Sequence, residues 1–142
     1  MPDQPIRVLL VDDDCEYAGA LSAYLTLHGC EVATLADAAE LCAALGLHRP
    51  DILLLDQFMG SVSGTDVLRR LRSETDLPCI IVTGRSETTE RILHLELGAD
   101  DEVDKSLPPR ELLARLRAVL RRARPTERVA PGPGPGGWRF LP

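Results

Sequence analysis

A chain of 142 residues with 44% hydrophobic and 27% charged side chains has the balance of a single globular domain, and no apolar run nears the ~18 residues of a membrane-spanning helix. Aromatics make up only 4%, so the core must be built from Leu, Val, Ile and Ala. The net charge of −6 hides an asymmetry: residues 1–109 hold 8 basic and 20 acidic side chains and residues 110–142 hold 8 and 2, an acidic body with a basic end rather than a nucleic-acid surface.

Met1–Pro5 lacks the basic patch and apolar stretch of a secretory signal, and a cytoplasmic location is expected. Cys15, Cys30, Cys42 and Cys79 form no CxxC pair, and His28, His48 and His94 stand at no metal-ligand spacing from them. They read as small buried thiols of a reducing compartment.

Five strand-like runs recur along the chain: Arg7–Asp12, Glu31–Leu35, Ile52–Asp56, Cys79–Thr83 and Asp100–Lys105. The first, third and fourth are continuously apolar, which suits parallel strands covered on both faces. The fifth is too acidic to be recognised by pattern and is placed by order alone. Helical segments lie between them. Residues 15–27 put Tyr17, Leu21, Tyr24 and Leu25 on one face. Asp37 is expected to cap a helix carrying Leu41 and Leu45 that Gly46 helps to end. Thr65–Arg72 turns Val67, Leu68 and Leu71 inward, and Ser86 caps a segment with Ile92, Leu93 and Leu97 that Gly98 stops. Pro109 opens a last helix carrying Leu112, Leu113, Leu116, Val119 and Leu120.

Fivefold strand–helix alternation predicts an α/β fold, a doubly wound parallel sheet with five helices, and right-handed crossovers leave few topologies; in the flavodoxin-like order 2-1-3-4-5, the one expected here, strands one and three are neighbours. Residues 1–124 form this domain. Residues 125–137, rich in Pro and Gly, read as a linker. Residues 138–142 look like a strand that has just begun, or a disordered tail.

Ligands of such sheets bind outside the carboxyl ends of the strands. The polar residues that end the apolar runs fall there: Asp12-Asp13, Asp56, Thr83 and Lys105. Taken singly each has a plain reading, as a helix N-terminus, a turn residue or a solvated charge. Taken together they make a cleft in which three carboxylates repel one another and a hard divalent cation relieves the repulsion. Such a site can take a phosphoryl group on one carboxylate, with Thr83 and Lys105 contacting its oxygens.

The stretches Val8-Leu9-Leu10-Val11-Asp12-Asp13-Asp14, Pro50-Asp51-Ile52-Leu53-Leu54-Leu55-Asp56, Pro78-Cys79-Ile80-Ile81-Val82-Thr83-Gly84-Arg85 and Gly98-Ala99-Asp100-Asp101, leading to Lys105, resemble the receiver domain of two-component response regulators over residues 5–124. The resemblance implies a phosphoacceptor at Asp56, Mg²⁺ held by Asp12, Asp13, Asp56 and the backbone carbonyl of Phe58, and phosphoryl contacts from Thr83 and Lys105. It implies a sensor histidine kinase as donor, and a phosphoacceptor rather than an enzyme with a free substrate. The last helix is similar to that of the OmpR/PhoB subfamily. That implies a homodimer through the fourth helix, fifth strand and fifth helix, with Arg91, Asp100, Asp101, Glu111, Arg115 and Arg122 as the interface charges. It also implies DNA binding only through a missing C-terminal winged-helix domain after the linker.

Three positions depart from that pattern. Ser106 follows Lys105 where the family has a proline in a cis bond. Glu102 stands at the aromatic switch position, where its carboxylate meets an Arg or water. Gly60 replaces a proline in the loop after Asp56. These leave open an alternative, a degenerate receiver that works as a phosphorylation-independent dimerisation or docking module. An aspartate-nucleophile phosphatase fits less well, because Phe58 stands where that chemistry wants an acid.

Overall fold

The computed structural model describes residues 4–59, 62–84 and 88–129. Five strands, β1 (Ile6–Val11), β2 (Cys30–Leu35), β3 (Ile52–Asp56), β4 (Cys79–Thr83) and β5 (Asp101–Asp104), form one parallel sheet in the order β2-β1-β3-β4-β5. Five helices connect and flank them: α1 (Cys15–Leu27), α2 (Leu41–His48), α3 (Gly64–Arg72), α4 (Thr88–Leu97) and α5 (Pro109–Val129). The expected doubly wound topology is present.

Both sheet faces are covered, which is why the strands read as unbroken apolar runs. Alternate residues Val8, Leu10, Ile52, Leu54, Ile80, Val82 and Val103 pack against Leu21 and Leu25 of α1 and Leu112, Leu113, Leu116 and Val119 of α5. Their neighbours Leu9, Val11, Leu53, Leu55, Cys79 and Ile81 pack against Leu41 and Leu45 of α2 and Leu68 and Leu71 of α3. This is the period of two of a strand sandwiched between helix layers.

Local chemistry sets the element ends. The Asp14 carboxylate accepts from the Tyr17 N–H at 3.1 Å and caps α1, so the third aspartate of the acidic run serves the helix. Asp37 caps a short 3₁₀ turn, Ala38–Glu40, ahead of α2 rather than α2 itself. Gly46 lies inside α2, which ends instead at Arg49 in the left-handed region at φ 47°. Gly98 stops α4 as expected, at φ 113°.

Other details differ from the sequence reading or add to it. Ile92 and Leu93 of α4 are exposed, and His94 between them and Leu95 is the fully buried residue. Cys15 and Cys42 are exposed while Cys30 and Cys79 are buried, all four as free thiols. A small antiparallel hairpin, Phe58–Met59 against Val62–Ser63, follows β3. The α5 helix reaches Val129, into the segment expected to be linker. Gly60, Ser86 and residues 130–142, with the expected strand at 138–142, lie outside the described residues.

Candidate phosphoacceptor site

Parallel register builds the site. Val11 stands opposite Leu55, Asp56 opposite Val82, and Thr83 opposite Asp104. One residue past the end of β1, and one past the end of β5, brings Asp12 and Lys105 to the edge that Asp56 and Thr83 already occupy. Asp12, Asp56 and Thr83 are buried, Asp13 is exposed and Lys105 is half-buried. Carboxylate oxygens of Asp12, Asp13 and Asp56 all lie within 4.8 Å of one another.

The cationic side is supplied from β5. Lys105 Nζ is 2.9 Å from Asp12 Oδ2 and 3.6 Å from Asp56 Oδ2, and it sits 4.9 Å from the Tyr17 ring centroid. Its backbone N–H donates to the Thr83 carbonyl at 2.8 Å, which fixes where the side chain leaves the strand. No cis peptide occurs among the described residues, so the Lys105–Ser106 bond is trans. The turn is held instead by the Ser106 N–H donating to Asp104 Oδ1 at 2.8 Å and the Leu107 N–H donating to the Asp104 carbonyl at 2.9 Å.

Burial, and then the Asp12 charge, push the Asp56 carboxyl up to about 6, against the opposing pull of Lys105 and of the Phe58 N–H at 3.4 Å. Burial works against the Lys105 ammonium, but the hydrogen bond to Asp12 and the charges of Asp12 and Asp56 hold its pKa above the ordinary value. Burial and the same two acids push the Tyr17 hydroxyl up to about 12. Among the described residues one positive charge therefore faces three acids, an excess of negative charge.

That donor set fits a small hard cation. The donors are carboxylate oxygens, and Asp12 Oδ2 is buried with no hydrogen bond among the described residues despite its proximity to Lys105.

The residues expected at the switch and the dimer face are also placed. Asp101 receives Arg115 Nη1 at 3.1 Å, and Arg115 reaches Glu111 at 3.6 Å, all within one chain. Asp100 receives Arg72 at 3.4 Å and the Cys79 N–H at 2.9 Å. Arg91 and Arg122 are exposed. Among the described residues Glu102 pairs with no Arg, and it is buried against His94 Nδ1 rather than exposed to solvent. His94 Nε2 lies 2.8 Å from Thr65 Oγ1, and Thr65 contacts the Gln57 amide. Sequence reasoning missed Gln57, Thr65 and His94. The available signal concerned only their partner: strand alternation puts Glu102 on the face opposite Val103, the face on which α3 packs.

Comparison with known proteins gives the same assignment. Residues 8–117 match the family model of the response regulator receiver domain. The chain is 40% identical over 116 residues, 82% of its length, to the DNA-binding response regulator MtrA of Mycolicibacterium paratuberculosis, covering 52% of that protein. It is 39% identical over 138 residues, 96% of its length, to the response regulator MprA of a Mycobacterium species (strain KMS), covering 58% of it. The chain thus spans little more than half the length of these relatives. Among solved structures it is similar to the BeF₃-activated receiver domain of Klebsiella pneumoniae RstA, with a TM-score of 0.77 at 33% identity, covering 81% of this chain and 98% of that one. It is equally similar in shape to the receiver domain of the TMAO respiratory regulator TorR, with a TM-score of 0.77 at 36% identity, covering 83% and 98%. The sheet order, the acidic edge and these matches converge: the chain belongs to the receiver domain family of two-component response regulators.

Proposed function

We propose that this receiver accepts a phosphoryl group on Asp56 from a sensor histidine kinase and uses the new charge to switch its association state. The observation that carries the reading is the in-register edge, where Asp56 lies between Asp12 and Thr83 with Lys105 Nζ 3.6 Å away. An Asp56 oxygen attacks the phosphorus of the donor phosphohistidine. The P–N bond breaks, a P–O bond forms, and the imidazole leaves with the electron pair. Lys105 pairs with one phosphoryl oxygen and the Thr83 hydroxyl donates to another. Asp12, Asp13, Asp56 and the Phe58 carbonyl would hold Mg²⁺, which supplies the positive charge that lets a trianionic cleft admit an anionic donor.

Association would use the face of α4, β5 and α5. Arg91, Asp100, Asp101, Glu111, Arg115 and Arg122 would set orientation, since exposed ion pairs add only ~0–1 kcal/mol each. In the relatives it matches, the rest of the protein accounts for the remaining length. DNA binding would belong to an output domain outside the receiver; MtrA is named a DNA-binding response regulator.

The test is incubation with Mg²⁺ and acetyl phosphate or beryllofluoride. An adduct that forms on the wild type and is absent from Asp56→Asn is expected, and no Asp56-dependent adduct in the wild type overturns the reading. The buried Glu102 at the switch position supports a second reading, a phosphorylation-independent docking module. That reading predicts one molecular size with and without beryllofluoride.

A further inference from the structure

We propose that His94 and Glu102 are positioning residues for the phosphoacceptor, acting on the end of β3 through a buried relay formed with Thr65 and Gln57. This rests on the reading of Asp56 as phosphoacceptor. The relay joins four parts of the fold. Glu102 of β5 contacts His94 Nδ1 of α4. His94 Nε2 lies 2.8 Å from Thr65 Oγ1 of α3. Thr65 Oγ1 lies 3.2 Å from Nε2 and 3.4 Å from Oε1 of Gln57, the residue that follows Asp56. Gln57, His94 and Glu102 are all buried.

The donor and acceptor pattern is self-consistent in two ways. Nδ1 faces a carboxylate and donates to it. With a neutral ring, Nε2 accepts from the Thr65 hydroxyl, whose oxygen accepts from the Gln57 Nε2–H. With a charged ring, Nε2 donates to the Thr65 oxygen, and the hydroxyl turns to donate to Gln57 Oε1. Either arrangement runs unbroken from Glu102 to Gln57, and cutting it at one joint leaves groups unpaired in the interior.

Two further observations make the relay a mechanical link. Gln57 is clamped to the start of α3, its carbonyl accepting from the Gly64 N–H at 2.7 Å. A Cβ on Gly64 would come within 2.7 Å of the Asp56 carbonyl oxygen and 3.0 Å of Gln57 Oε1. At the other end, α4 exposes Ile92, Leu93 and Leu95 and buries His94, so its seating leans on a polar contact. A change of charge at Asp56 that moves Gln57 is therefore passed to α4 and β5 along a connected set of side chains that has two arrangements.

The test compares wild type, Thr65→Val and Thr65→Ser, each loaded with beryllofluoride and Mg²⁺, with thermal unfolding as the control for folding. Valine keeps the shape and deletes the hydroxyl, and serine restores it. Adduct formation should shift the His94 imidazole NMR signals in the wild type and in Thr65→Ser. In Thr65→Val the adduct should form while the His94 shift collapses to a small fraction. By linkage, Glu102→Gln should change beryllofluoride affinity by about 5-fold or more. A folded Thr65→Val protein with a full His94 response, or a Glu102→Gln protein with unchanged affinity, overturns the relay alone. A wild type that binds no beryllofluoride overturns the phosphoacceptor reading and the relay with it.

Discussion

Asp56 is the residue at which function opposes stability. Its carboxyl is pushed up to about 6 by burial and by Asp12, so between pH ~4 and ~6 the folded chain holds a proton that the unfolded chain has lost. A raised acid pKa contributes stability at low pH and loses it as pH rises through the folded value, up to about 3 kcal/mol for a shift of this size. Asp56→Asn is therefore expected to be more stable than wild type by about 1–3 kcal/mol at pH 7 without Mg²⁺, and the gap should close below pH 4. Urea titrations of both proteins at several pH values check this, and an Asp56→Asn protein no more stable than wild type at pH 7 contradicts it. Lys105→Ala should keep Mg²⁺ binding and lose most of the response to the adduct, because Nζ sits among the acids while adding no cation ligand; Mg²⁺ titration followed by beryllofluoride separates the two effects. The acids were legible because they interrupt apolar runs at strand ends, and Lys105 because it ends the run that order alone places fifth. Gln57, Thr65 and His94 were not. Each is a common polar residue with an ordinary local reading, and only the packing of α3 and α4 on β5 brings them together.

At the scale of elements, the strands were readable because two helix layers force both faces to be apolar, and even acidic β5 could be placed by order. Helix faces were less readable. In α4 the residues Ile92 and Leu93 point outward and His94 inward, where its partner is the Glu102 carboxylate, while Leu97 packs against the apolar core. Two glycines carry geometry that the pattern could not reveal. Gly98 combines φ 113° with the Arg72 side chain 2.8 Å from where a Cβ would stand, while Arg72 Nε donates to the Gly98 carbonyl at 2.9 Å. Gly64 is closed off by backbone. Gly64→Ala should thus cost about 1–3 kcal/mol and also weaken beryllofluoride binding, because the displaced atoms belong to Asp56 and Gln57. Gly98→Ala should cost a similar amount through strain while leaving that binding near wild type. Denaturant midpoints with beryllofluoride titrations distinguish the two, and equal losses of binding would show that Gly64 has no special bearing on the site.

At the scale of the molecule, a change at the acidic edge has to reach a surface. Ile92, Leu93 and Leu95 are exposed on α4, the helix that packs against β5, and Asp101 of β5 pairs with Arg115 of α5, which also reaches Glu111. In the proposed dimer the apolar area would supply association energy, and the charges, already paired within the protomer, would supply orientation. If the face is the association surface, a charge at these exposed positions should abolish association and spare the chemistry. Ile92→Glu is expected to form the Asp56 adduct at wild-type affinity, because its side chain is exposed and lies outside the relay. It should remain monomeric at concentrations where the wild-type adduct is dimeric. Arg115→Ala, by contrast, should weaken the dimer by only about 1 kcal/mol, since it removes a half-exposed ion pair. Sedimentation velocity on the loaded proteins reads both, and an Ile92→Glu adduct that dimerises like wild type would move the association surface away from α4.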